Sequence, residues 1–250
     1  MEVVAHVTDL RPRPVTRVRP GRAVGPGVLP MSSSLLRSAS FLAASFACLS
    51  LTACGGGGGN NDGLQELTVE STANLDGGTN FNNNGSVNTG SPGLAPLVGD
   101  QTFVASGGTI LYNAFWSFDI SALPAGATIQ SAILRLHQAG TAGSPTAAFA
   151  LARLDHVNYG TVFPATSGAF NVISTDIAQL TDLDTANVPK PLEVTGAVQV
   201  DLDAGRPRSQ FRLRPAIPTN NDAQADFMVF TDGETANASI RPMLIITYSE

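Results

Sequence analysis

Phe115-Trp116-Ser117-Phe118-Asp119-Ile120-Ser121-Ala122-Leu123-Pro124-Ala125-Gly126-Ala127-Thr128-Ile129-Gln130-Ser131-Ala132-Ile133-Leu134-Arg135-Leu136 is the stretch on which the fold turns. Read back to Tyr112, its first half alternates. Tyr112, Ala114, Trp116, Phe118 and Ile120 fall on one parity, and Asn113, Phe115, Ser117 and Asp119 on the other. Period two is the signature of a half-buried strand. Leu123-Pro124-Ala125-Gly126 breaks it. A second strand, Thr128 to Gln138, then sets Ala132, Leu134 and Leu136 against Ile133, Arg135 and His137. Further strands are expected at Phe149 to His156 and at Gln210 to Arg214. Asp226 to Thr231 and Met243 to Tyr248 are apolar on both parities and read as central strands. Runs of this kind, bounded by Gly, Pro, Asn and Asp, argue for an all-β sandwich. One short helix is expected at Thr195 to Ala204, with Thr195 as its N-cap and Gly205 and Pro207 ending it.

Upstream of the domain, an apolar run from Phe41 to Ala53 follows Arg37 and ends in Leu51-Thr52-Ala53-Cys54. The run is too short to span a bilayer, which takes about 20 apolar residues. Its layout is that of a secretory signal. Leu-x-Ala-Cys after such a run resembles the lipobox of bacterial lipoproteins. The resemblance implies cleavage before Cys54 and acylation of that cysteine. The expected organisation is an extension over 1–30 upstream of a start at Met31, a signal peptide over 31–53, Cys54 with a glycine-rich spacer over 54–63, and a β-sandwich over 64–250. Gly-rich spacers behave as random coil. Gly55, where an aspartate would favour inner-membrane retention, leans the expectation toward a lipid-anchored protein of the bacterial outer membrane.

The chain has 14 Lys+Arg and 20 Asp+Glu, a net charge of −6. Removing residues 1–53 leaves eight basic against eighteen acidic side chains, so the mature domain carries −10. Such a domain is not a nucleic-acid binder without a concentrated basic face. Of two cysteines, Cys48 lies in the signal and Cys54 at the cut. No disulfide framework and no cysteine-based metal site are available. About 190 residues suffice for one domain with an ordinary core.

The quoted stretch is similar to the core of the DNRLRE-domain family. Val194-Thr195-Gly196-Ala197-Val198, Phe211-Arg212-Leu213 and Arg241-Pro242-Met243-Leu244-Ile245-Ile246-Thr247-Tyr248 resemble further blocks of it. The match covers roughly residues 65–250. It departs at Phe81-Asn82-Asn83-Asn84-Gly85, where the family has an Asn-Tyr-Gly segment. The resemblance implies a jelly-roll sandwich of the carbohydrate-binding-module type, found on surface proteins and polysaccharide-degrading enzymes, with a related group described as alginate-binding.

A glycan platform needs exposed aromatics and, for uronates, arginines that grip carboxylates. Tyr112, Tyr159, Arg153, Arg212 and Arg214 are the candidates, with Arg135 and Trp116 also in view. Trp116 lies on the apolar parity and is expected in the core. Arg212 and Arg214 share one strand face, a pattern that also describes a solvated sheet. Asp119 and Arg135 are expected to pair across adjacent strands. His156-Val157-Asn158-Tyr159 holds residue types used by uronate lyases, but in a strand His156 and Tyr159 point apart. The Gln-Ile-His and Arg-x-Glu-x-Arg strings of jelly-roll alginate lyases are absent, and no catalytic residue is nominated. No cofactor is expected beyond a candidate structural calcium at Asp76, Asn80 and Asp100, near Asn82, Asn83 and Asn84. The stretch Asp76 to Pro92 is expected to be surface loop. The leading expectation is non-catalytic polysaccharide binding, of uronate-rich glycans such as alginate. A structural or adhesive envelope module is the alternative, and a polysaccharide lyase the third.

Overall fold

A computed structural model describes residues 63–82, 87–103, 108–165 and 174–250, within the second of two compact units, Gly57–Glu250. The expected N-terminal extension, signal peptide, lipidated Cys54 and spacer to residue 62 lie outside the described residues, as do Asn83 and Asn84.

The strands are β1 (Leu64–Glu70), β2 (Gly77–Asn82), β3 (Val87–Pro92), β4 (Leu97–Phe103), β5 (Gly108–Asp119), β6 (Thr128–Ala142), β7 (Ala152–Val157), β8 (Thr175–Leu180), β9 (Val188–Glu193), β10 (Arg208–Pro215), β11 (Ala225–Phe230) and β12 (Met243–Ser249). Two helices interrupt them, α1 (Pro145–Phe149) and α2 (Thr195–Asp203). The pairings are antiparallel and form two four-stranded sheets, β1-β12-β6-β9 and β5-β10-β7-β8. That is the strand order of a jelly roll. A β2–β3 hairpin adds to β5, and β4 and β11 link β5 to the far end of β6.

The apolar parities read from the sequence meet between the sheets. Ala132, Leu134 and Leu136 of β6 and Leu244 and Ile246 of β12 face Ala114, Trp116 and Phe118 of β5 and Phe211 and Leu213 of β10 in one buried cluster. Trp116 is fully buried, as its parity required. Its indole N–H donates to the Thr231 carbonyl at 3.2 Å, and its ring meets Phe230 edge-on at 5.7 Å.

Four expectations are corrected. Asp76 to Pro92 is no loop over most of its length: it builds β2 and β3. Its glycines make that packing possible, because a Cβ at Gly77 would strike the Ser91 carbonyl and one at Gly78 would sit 2.8 Å from the Ala95 carbonyl. β5 is buried on both faces from Ala114 to Phe118, because Tyr159 and Phe163 lie over Phe115. Central β11 and β12 alternate buried and half-exposed residues, so one face of each is partly open. Finally, the helix at Thr195 forms where expected, but Val194 is its N-cap. The Thr195 hydroxyl instead accepts from the Ala132 N–H at 2.7 Å, tying α2 to β6. A short α1, not foreseen, starts at Pro145, a residue suited to a first helical turn. Pro189 and Pro191 are tolerated in β9 because this strand pairs with β6 alone among the described strands.

Trp116→Ala removes the largest buried side chain and one hydrogen bond. It is expected to cost about 3–5 kcal/mol, read as a lower denaturant midpoint, whereas Val162→Ala at an exposed position should leave the midpoint unchanged.

Candidate functional site

Charge is disposed differently on the outer faces of the two sheets. On the β5-β10-β7-β8 sheet, one cross-strand row reads Phe115, Arg212, Asp155, Asp176, and the next reads Arg214, Arg153, Gln179. Asp155 is completely buried and Arg212 is 4% exposed. Asp155 Oδ2 accepts from Arg212 Nε at 2.9 Å and from Arg214 Nε at 2.8 Å. Arg153 pairs with Asp176. Arg212 is therefore not on a solvated face, and each of the three candidate arginines is already engaged by a carboxylate. A buried guanidinium demands such a partner, since an isolated buried charge is strongly disfavoured.

Next to this lattice, Gln210 clamps the turn after β7. Its Oε1 accepts from the Tyr159 and Gly160 N–H groups at 2.8 and 3.0 Å, and its Nε2 donates to the Gly160 carbonyl at 2.7 Å. The Tyr159 hydroxyl donates to the Leu75 carbonyl at 2.8 Å. Burial, and then the charge of Asp76, push that hydroxyl well above the usual tyrosine range. Tyr159 is thus packing and not a platform. Tyr112 is half-buried; its hydroxyl donates to Gln101 at 2.9 Å, and it borders a hollow of about 160 Å³ with Leu94, Ala95 and Leu97. Among the residues whose burial is described, no aromatic ring belongs to an exposed residue.

Asp119 and Arg135 do not pair. Their strands belong to different sheets, and the Ser121–Gly126 connection crosses from one to the other. Asp119 faces Arg208 at 3.8 Å and accepts from the Ser121 N–H. Hydrogen bonds from Ser121 lead the causes that lower its carboxyl below the usual value.

Arg135 lies on the outer face of the first sheet and is the exception to the charge pairing. The described residues hold eight Lys and Arg. Seven of them face carboxylates: Arg153, Lys190, Arg206, Arg208, Arg212, Arg214 and Arg241. The guanidinium of Arg135 instead donates to the thioether of Met243 at 3.0 Å, a weak acceptor. Arg135 lines an open hollow of about 210 Å³ with His137, Arg241, Pro189 and Ile240. Arg135 and His137 are two apart on β6 and so share its face. Arg241 reaches the same place from just before β12, held by Glu70 at 3.1 Å and the Thr235 carbonyl at 2.8 Å. Three basic-type side chains thus meet at one point of an acidic domain. The parity of β6 already put Arg135 and His137 together in the sequence; the arrival of Arg241 had no local signal.

His156 takes the opposite face from Tyr159. Its Nε2 lies 2.9 Å from the buried carboxylate of Asp201 on α2, which also accepts from Ser209 and Arg206. It edges a cleft of about 440 Å³ with Ile177, Glu193 and Val200. His156, Tyr159 and an arginine do not converge there, so the arrangement a lyase would need is not assembled.

The expected calcium set is also dispersed. Asn80 shares a sheet face with Tyr112 and Gly99, while Asp100 projects to the other face with Leu111. Asp76 is fully buried and satisfied, accepting from the Ser117 and Gly233 N–H groups at 3.0 and 3.1 Å. Among the described residues no group of three or more His, Cys, Asp or Glu gathers to hold a metal. A scan against models of protein families gives no match for this chain, and a search of curated proteins gives none either.

Burial is the largest influence on Asp76 and lifts its carboxyl from 3.8 to about 7. A carboxyl with a raised folded-state value holds its proton longer folded than unfolded, so its contribution is complete below pH 4 and is lost as pH rises to about 7. Wild-type unfolding midpoints should fall across that window, and Asp76→Asn should flatten the slope; an unchanged slope would remove Asp76 as its source.

Proposed function

We propose that this protein is a surface-exposed, lipid-anchored module of the bacterial outer membrane that binds acidic polysaccharide without cleaving it. The observation that carries the reading is Arg135: a half-buried guanidinium with no carboxylate partner, opening into a hollow beside His137 and Arg241. A guanidinium offers planar, bidentate donors to a carboxylate, and a uronate supplies one on each sugar. Pro189 and Ile240 form an apolar wall against which the C–H face of a sugar ring can lie. At about 210 Å³ the hollow is smaller than the roughly 300–1,000 Å³ of small-molecule pockets. It suits one unit of a chain that runs on across the surface. The lipobox-like Leu51-Thr52-Ala53-Cys54 and the likeness to DNRLRE domains support the anchoring and the ligand class. The lack of an exposed aromatic row among the described residues favours the second reading, an adhesive or structural envelope module.

Binding of the purified protein to alginate, pectin and a neutral glucan, with product analysis, tests the proposal. Saturable, salt-sensitive binding to the acidic polymers without products is expected. Arg135→Ala should weaken it at least tenfold, while Arg153→Ala should leave it within twofold. Equal binding by wild type and Arg135→Ala, or silence across the panel from folded protein, would move the assignment to the adhesive reading.

A further inference from the structure

Asp100 on β4 and Asp226 on β11 stand directly opposite each other in the antiparallel register. Opposed residues in such a pair project to one face with Cβ atoms about 5 Å apart, and like charges there repel. Both are almost fully buried, at 1% and 4% exposure. Asp226 Oδ1 accepts from the Ser144 N–H at 2.6 Å. Asp100 is different: neither carboxylate oxygen has a hydrogen-bond partner. The Thr219 hydroxyl and the Asp226 backbone N–H approach it and favour its charged form, though neither closes a hydrogen bond, and Asp222 adds a further negative charge nearby. Among the described residues no Lys, Arg or His forms an ion pair with Asp100, Asp222 or Asp226.

A buried carboxyl in this position can take a proton or a cation. Burial, together with the charges of Asp226 and Asp222, does raise its proton affinity. A proton on Asp100 would satisfy the pair only if it were donated to the opposed Asp226, and no hydrogen bond joins the two. A cation satisfies the two oxygens together and neutralises the opposed pair. We propose that Asp100 and Asp226 are the carboxylate ligands of a structural calcium ion, with oxygens of the Thr219–Asp222 loop completing the site. Calcium fits because it accepts six to eight hard oxygen ligands in irregular geometry, where magnesium demands near-ideal octahedra. Among the described residues no histidine or cysteine joins the two aspartates as a zinc site would need. With two principal carboxylates, the affinity belongs to the weak extracellular range, a dissociation constant of about 0.1–1 mM.

The test is thermal unfolding of the full-length protein at pH 7.5 in EGTA, in 5 mM CaCl2 and in 5 mM MgCl2, beside Asp100→Asn. Calcium should raise the wild-type melting temperature by several degrees, with magnesium far weaker. Asp100→Asn should lose that response yet be at least as stable as wild type in EGTA, since the amide removes the repulsion. Calcium-competable terbium luminescence of the wild-type protein, excited directly and without a protein sensitiser, reads the site should the variant not fold. A wild-type melting temperature indifferent to calcium, a full calcium response in Asp100→Asn, or no competable terbium signal would each overturn the proposal.

Discussion

The carboxylate of Asp155, wholly buried on the outer side of a β-sheet, is the constraint from which much else follows. Removing a carboxylate from water is tolerable only if cations and hydrogen bonds replace the solvent. Arg212 and Arg214 do so from the adjacent strand, and Arg212 is drawn into the interior with it. One face of the β5-β10-β7-β8 sheet therefore carries a polar lattice where a simple sandwich would be solvated. The turn after β7, pinned by Gln210 and by the Tyr159 hydroxyl, lies against that face and lets Tyr159 and Phe163 cover Phe115. The same rule governs the rest of the molecule. Asp201 gathers His156, Arg206 and Ser209, and Lys190 is held by Asp182.

Charge bookkeeping then isolates two places. An acidic domain with eight basic side chains commits seven of them to carboxylates, so the remaining one, Arg135, is chemically conspicuous. It sits on the other sheet, beside His137 and Arg241, and forms no ion pair, while the nearby Glu70 is taken by Arg241. The converse holds at Asp100, a buried acid that no base satisfies. One position has a cation and no anion, the other an anion and no cation. Each imbalance is of the sign expected for a ligand of opposite charge. The two lie on different strands, so an acidic glycan and a divalent ion need not compete for the same residues.

Period two was enough to read the sandwich. The inner parities of β5, β6 and β10 were legible because apolar and polar residues alternate there, and the helix at Thr195 was legible from its stop signals. The hairpin β2–β3 was not, because Gly77 and Gly78 serve close backbone approach and leave no apolar pattern. The double burial of β5 and β10 was hidden for another reason. An arginine paired to a buried carboxylate and an arginine in solvent have the same letter and the same parity. Asp119 and Arg135 misled because the tight Ser121–Gly126 connection looks like a hairpin turn but joins two sheets. Arg135 and His137 could be placed on one face from spacing alone. Arg241 could not, since it is brought there by the pairing of β12 with β6, a contact between residues more than one hundred positions apart.

Asp155 and Arg212 act as one buried unit, on which the polar lattice of this sheet depends. Equilibrium unfolding of Asp155→Leu, Arg212→Met and the double variant measures that directly. Asp155→Leu should cost about 3–5 kcal/mol by stranding the buried Arg212, Arg212→Met should cost less because Arg214 still faces Asp155, and the double should cost far less than their sum, with a coupling of at least about 2 kcal/mol. Additive losses, or single losses under about 1 kcal/mol, would contradict it, and would return Arg212 to the surface as a side chain available to ligands.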